Sequence, residues 1–180
     1  MAIFRGMSRV FAGAAAVAVA LLVVNGCAPE RVDEAYAPSR AFSRYRHALI
    51  DMGVDRAELG SRWLDAAETA LQQPERVDLP LSYTLIFDPA EPEAAAFEFR
   101  VRRGQTVVIR VQPDVRPPLL FADLYRLDAD REDPPQKVAS LDRQNGRLEF
   151  RARREAVYQF RLQPEIARGG RVRVEIESAS

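Results

Sequence analysis

The chain has 180 residues, with 26 basic and 26 acidic side chains, one histidine, one cysteine and one tryptophan. So even a balance gives no sign of the basic patch or domain that nucleic acid requires. A lone cysteine cannot close an internal disulfide, and a lone histidine leaves a His-based zinc site or a Ser-His-Asp arrangement short of partners. Stability must come from a hydrophobic core.

The first nine residues, "MAIFRGMSR", hold two arginines and no acid, and Val10 to Val24 is apolar, interrupted only by glycine. A basic start followed by an apolar core is the pattern of a secretory signal, and the run is too short to cross a bilayer, which takes about 20 apolar residues. It ends in "VNGC", which resembles the bacterial lipobox: aliphatic Val24 at −3, small Gly26 at −1 and Cys27 at +1. Asn25 at −2 departs from the commonest choices. The resemblance implies a diacylglyceryl group on the Cys27 thiol, cleavage between Gly26 and Cys27, and an acylated new amino terminus. The other reading of Cys27 is an unmodified free cysteine. Two or more acyl chains give stable membrane attachment where one gives only marginal attachment. Ala28 stands after the cysteine, and by resemblance to Gram-negative lipoproteins a residue other than aspartate there implies the periplasmic face of the outer membrane. Removal of residues 1–26 takes away Arg5 and Arg9 and no acid, leaving 24 basic and 26 acidic residues. The 154 that remain suffice for one domain burying about 68–70% of its unfolded surface.

Residues 27–39, containing "APERVDEAYAPS", are polar and without periodicity, and read as a tether. Residues 40–74 read as a helical pair. Phe42, Tyr45, Leu49 and Ile50 share one face of a first helix that stops at Gly53, a usual C-terminal cap. Asp55 and Glu58 fit a D-x-x-E capping box for a second helix, along which Leu59, Trp63, Ala67, Ala70 and Leu71 form an apolar stripe until Pro74. Such stripes must be laid on another surface, and the expected place is one end or edge of the domain that follows.

Beyond Val77 the period changes from 3.6 to 2, and residues 75–180 read as one domain. "FEFRVRR" puts Phe97, Phe99 and Val101 opposite Glu98, Arg100 and Arg102; Gly104 marks a turn and "TVVIRV" resumes the alternation, which predicts a hairpin. "LLFADLYRL" is a more continuous apolar run, as expected of a strand covered on both faces or near a sheet centre. "RLEFRA", "VYQFRL" and "RVRVEIE" alternate again, and "LSYTLIF" and "KVASL" bring the total to about eight strands. Asn145-Gly146 is the type I′ hairpin dipeptide, predicting that residues 138–142 and 147–152 pair directly. The fold class is therefore mainly β, an antiparallel sandwich over 75–180, with Phe97, Phe99, Ile109, Phe150, Tyr158 and Phe160 inside.

Groups able to do chemistry are sparse. His47 reads as a partly exposed helical residue. Asp128, Asp130, Glu132 and Asp133 crowd "LDADREDPP" at a spacing of oxygens that suits calcium, but without the glycine and distal glutamate of an EF-hand, and a solvated loop is the simpler reading. Arg100, Arg102, Arg110, Arg151, Arg161, Arg171 and Arg173 occupy outward strand positions; they could attract anionic polymers, or form an ordinary solvated face with Glu98, Glu149, Glu175 and Glu177. No catalytic residue, metal ligand or cofactor is indicated.

The order of the whole chain from the lipobox onward, through "GVDRAELGSRWLDAAETAL", "FEFRVRRGQTVVIRV", "LLFADLYRL" and "VASLDRQNGRLEFRARREAVYQFRLQPEIARGGRVRVEI", resembles the amino-terminal, non-catalytic region of proteobacterial cell-wall endopeptidases of the lysostaphin type. The strand half also resembles a pre-peptidase β-sandwich. The family's zinc peptidase domain carries H-x-x-x-D and H-x-H segments, and neither occurs here. The resemblance thus implies a non-catalytic binding or scaffolding lipoprotein whose partners are a peptidoglycan peptidase or a cell-wall glycan. The alternative it implies is the truncated front part of a zinc peptidoglycan endopeptidase whose catalytic half, expected after "EIESAS", is lost by truncation, frameshift or an incomplete gene reading.

Overall fold

A computed structural model of the chain describes residue 36 and residues 38–114, 120–128 and 134–179. Cys27 and Gly26, the expected lipid and cleavage positions, lie outside them, as do Asp130, Glu132 and Asp133.

Helix α1 spans Arg40–Asp51, and Ser39 caps it by accepting a hydrogen bond from the Phe42 amide on its hydroxyl. Gly53 follows in the left-handed region at φ 72°, as its place after the helix demands. Helix α2 spans Glu58–Gln72. Its N-cap is Ala57, with no side-chain hydrogen bond, so the expected Asp55–Glu58 capping box does not form. The reason lies in the connection: Val54–Arg56 makes a 3-10 turn that folds against Gly60, where any Cβ would collide with the Val54 carbonyl, and Asp55 is left two residues ahead of the cap.

Nine strands follow: β1 (Glu75–Arg76), β2 (Leu81–Phe87), β3 (Ala95–Val101), β4 (Thr106–Pro113), β5 (Leu120–Leu127), β6 (Gln136–Ser140), β7 (Arg147–Arg151), β8 (Ala156–Pro164) and β9 (Gly170–Ala179). They form a five-stranded sheet in the order β1-β3-β8-β5-β6 and a four-stranded sheet in the order β2-β9-β4-β7. Every pairing is antiparallel except the short β1–β3 contact. Phe97, Phe99, Val101, Ile109, Leu124, Tyr158, Phe160, Leu162, Val174 and Ile176 fill the space between the sheets. Phe150, expected inside, is half-buried, because edge strand β7 carries it at the rim, 5.5 Å from the Tyr158 ring.

Both expected hairpins are absent. β3 and β4 lie in different sheets, so the turn at Gly104 is an arch across the sandwich. β6 and β7 are likewise divided between the sheets, and a single bridge, Asp142 to Arg147, joins their ends. Alternation and a turn dipeptide specify a reversal of direction; they do not specify whether the returning strand pairs with its predecessor or stacks opposite it.

The helices cover the outer face of the five-stranded sheet rather than an end or edge of the sandwich. Phe42, Leu49, Trp63 and Ala67 pack on Phe121 of β5, and Leu71 packs with Tyr36, Tyr125 and Leu127. Ile50, expected on the buried stripe, is 37% exposed at the helix end. The layers therefore run helices, five strands, four strands. This order explains why β5 is buried on both faces.

Candidate functional site

The covering of one sheet face creates a buried polar layer. Gln159, Arg161 and Gln163 alternate with Tyr158, Phe160 and Leu162 along β8, and their side chains point away from the inter-sheet core into the seam beneath the helices. Arg161, expected on a solvated face, is completely buried. Period 2 gave its direction correctly, but α1 and Phe42 occupy the place where solvent was expected. Its guanidinium Nη2 lies 3.1 Å from Asp123 Oδ2 and its Cζ lies 4.1 Å from the centre of the Phe42 ring.

Asp123 is the centre of this layer. Its carboxylate also accepts hydrogen bonds from the Ser140 hydroxyl at 2.6 Å, the Ser39 amide at 3.2 Å and the Tyr125 hydroxyl at 3.5 Å. A buried ion pair offsets its desolvation only when further hydrogen bonds complete it, and these donors come from α1's cap and from β5 and β6. On one side Gln163 donates to the Trp63 carbonyl and the Trp63 indole donates to the Pro164 carbonyl, both at 2.8 Å. The Tyr45 hydroxyl accepts from the Ile166 amide; burial, partly opposed by that hydrogen bond, holds its pKa above the ordinary phenol value. On the other side Tyr36 donates to Gln159 at 2.6 Å, and Gln159 donates to Glu98 at 3.0 Å. Glu98, expected to point into solvent, is 9% exposed and meets Arg76 Nε at 3.3 Å.

Glu98, Gln159, Tyr36 and Arg76 line a depression of about 400 Å³ where α2 ends at Gln73 and Pro74. Its polar groups already bind one another, so it reads as the open margin of the buried layer. A shallower depression of about 640 Å³ lies over the β3–β4 and β7–β8 turns, lined by Arg103, Phe150, Arg151 and Arg153.

Among the described residues no helix packs on the outer face of the four-stranded sheet. There Arg110 and Arg171 behave as the solvated-face reading expects, meeting Glu177 at 2.9 Å and Asp114 at 3.8 Å, and Arg147, outside the expected set, meets Glu149 at 2.8 Å. On the other sheet exposed Arg100 meets Glu155 at 3.6 Å. Pairs of this kind are worth about 0–1 kcal/mol each.

His47 is exposed on α1. Among the described residues no group of three or more His, Cys, Asp or Glu side chains is placed to hold a metal ion. Asp128, the one described member of the acidic loop, is half-buried between Arg126 and Arg154, each 3.5 Å away. Also among the described residues, no helix is long and apolar enough to cross a membrane.

No protein-family model matches the sequence, and no curated protein matches it. Three solved structures are similar to part of the chain. One is the pre-peptidase C-terminal domain of a collagenase from Bacillus anthracis, at 12% identity and a TM-score of 0.49, covering 58% of this chain and 95% of that one. Another is PliG of Salmonella Typhimurium, a periplasmic inhibitor of g-type lysozyme, at 16% identity and a TM-score of 0.37, covering 59% and 100%. The third is CorA of Methylomicrobium album BG8, a surface-associated copper-binding protein, at 10% identity and a TM-score of 0.45, covering 59% and 98%. Nothing of what these three proteins bind transfers to the present chain at such distances.

Proposed function

We propose that the chain is a non-catalytic binding or scaffolding module of the periplasm, held on the outer membrane by lipid on Cys27 and turned toward the cell wall. Its target is a cell-wall glycan or a peptidase supplied by another polypeptide. The supporting observation is where the first described residues sit. Tyr36 is buried against Gln159, and the Ser39 amide is held by Asp123, both on the helix-covered side. A tether arriving there leaves the uncovered four-stranded face on the opposite side, presented away from the anchor. The basic, apolar and "VNGC" segments support the anchor itself.

The test is metabolic labelling with palmitate in cells producing the full chain. The wild type takes up label and fractionates with the outer membrane, and Cys27→Ala loses both properties. A wild-type chain with a free thiol at Cys27 and no label overturns the anchoring. Zinc-dependent cleavage of peptidoglycan by the purified full chain overturns the non-catalytic assignment.

A further inference from the structure

Asparagine is a thermolabile residue, and most so before glycine, whose missing Cβ leaves the backbone nitrogen open to the preceding side chain. The chain has two asparagines, Asn25 and Asn145, and each precedes a glycine. Asn145 is the one among the described residues.

The reaction of such a pair is internal. The Gly146 amide nitrogen attacks Asn145 Cγ, the Cγ–Nδ2 bond breaks, and ammonia leaves with the Gly146 proton, closing a succinimide ring. Water then opens one of the ring's C–N bonds. Opening at Cγ gives aspartate; opening at the main-chain carbonyl carbon of residue 145 gives isoaspartate, whose main chain runs through Cγ. Nothing is oxidised or reduced, and water is the only co-reactant.

Access of water is not what limits this reaction here, since Asn145 is exposed. Geometry limits it. Asn145 Nδ2 donates to Asp142 Oδ2 at 2.9 Å and Oδ1 accepts from the Arg147 amide at 2.8 Å, so the side-chain amide is held at both ends. The nucleophile is held as well, because the Gly146 amide donates to the Asp142 carbonyl at 2.8 Å. Asp142 is itself fixed: its Oδ1 accepts from the Gln144 amide at 2.9 Å and its own amide donates to the Arg147 carbonyl at 3.1 Å. The Gly146 carbonyl accepts from the Val111 amide at 2.8 Å, which ties the pair to β4. Ring closure has to turn Cγ onto a nitrogen that gives up its proton, and these bonds oppose both movements.

We propose that Asn145 is a modification site guarded by the fold: it is deamidated while the chain is unfolded, it is spared while the arch between β6 and β7 is closed, and the closed arch does not accept the product. The inference stands whether or not Cys27 carries lipid. Aspartate at position 145 exchanges the Nδ2 donor for a carboxylate oxygen beside Asp142, turning a hydrogen bond into a like-charge contact. Isoaspartate adds a carbon to the main chain directly before Gly146, where a Cβ would already lie 2.5 Å from the Val111 carbonyl oxygen. Time spent unfolded is thereby written into the covalent chain.

The test follows the purified full chain in detergent, in buffer and in concentrated urea at the same mildly alkaline pH, with peptide mapping by mass spectrometry to separate Asn145 from Asn25. Local opening of a folded protein costs free energy that the unfolded chain does not have to supply, so Asn145 is expected to deamidate at least about tenfold more slowly in buffer than in urea. Asp142→Ala removes the carboxylate from the turn. It is expected to speed the reaction in buffer and leave the rate in urea unchanged, while Trp63 fluorescence stays that of the folded chain. Asn145→Asp is expected to unfold at a lower temperature than the wild type. Equal wild-type rates in buffer and urea overturn the proposal. So does an Asn145 that keeps its amide in urea, or an Asn145→Asp chain as stable as the wild type.

Discussion

Arg161 and Asp123 face each other on neighbouring strands, and neither side chain has any exposed surface. Removal of one partner strands the other in a low-dielectric layer, which costs about 3–5 kcal/mol. Asp123→Ala and Arg161→Ala are each expected to destabilise by that amount in denaturant unfolding. The double variant Asp123→Ala/Arg161→Ala is expected to lose much less than their sum. A strictly additive cycle would show that the two side chains act independently.

Phe160 is buried between the sheets, whereas Trp63 reports on the layer beneath the helices. Phe160→Ala is expected to cost about 3–5 kcal/mol for a fully buried ring. Trp63 is the single tryptophan in the chain, so its fluorescence follows the docking of the helices. The transition seen at Trp63 is expected to move together with the loss of strand circular dichroism, because α1 and α2 rest on the sheet that Phe160 supports. A tryptophan transition left in place by Phe160→Ala would mean that the helical layer unfolds on its own.

Gly146 adopts φ 64°, and a Cβ there would lie 2.5 Å from the Val111 carbonyl oxygen. The position needs glycine for both reasons, and Gly146→Ala is expected to cost more than about 1 kcal/mol. Gly104→Ala meets no neighbouring atom and strains the backbone alone, so the smaller loss is expected there. Thermal unfolding of the two variants makes the comparison.

Burial raises the Tyr158 pKa, and its hydroxyl is buried with no hydrogen-bond partner among the described residues. Below about pH 10 the phenol is protonated in folded and unfolded chains alike. As pH rises further the unfolded chain releases its proton first, so stability falls from about pH 10 toward the folded pKa. Tyr158→Phe is expected to reduce that alkaline loss, with the part due to Tyr45 remaining. At neutral pH it is expected to match the wild type or exceed it by about 1 kcal/mol, since an unsatisfied hydroxyl is removed. A loss of stability at pH 7 would indicate a partner for the hydroxyl.

The strand positions were legible because alternation reports which way each side chain points: Phe97, Phe99, Ile109 and Phe160 lie where the period puts them. The polar layer was not, since alternation says nothing about what lies beyond the second face. A signal was nevertheless available. On β5, Phe121 and Tyr125 share a face with Asp123, and two aromatic rings beside a lone acid mark a covered surface. The chain also held two apolar helical stripes in need of a surface. Together these could have placed the helices on the sheet and withdrawn Arg161 from solvent. The arches at Gly104 and Gly146 had no comparable local signal, because the partner of each strand is chosen by residues far away in sequence.

The middle of each sheet is built from the end of the chain. β8 separates β3 from β5, and β9 separates β2 from β4. Only β5 and β6 are both consecutive and paired, so almost every strand contact spans a long stretch of sequence, the arrangement that makes folding slow. During synthesis the five-stranded sheet cannot close until β8, which ends at Pro164, has emerged, nor the four-stranded sheet until β9, which ends at Ala179, has followed. Before those strands emerge, each sheet is two unjoined halves, and the packed core of the sandwich has nothing to hold it closed.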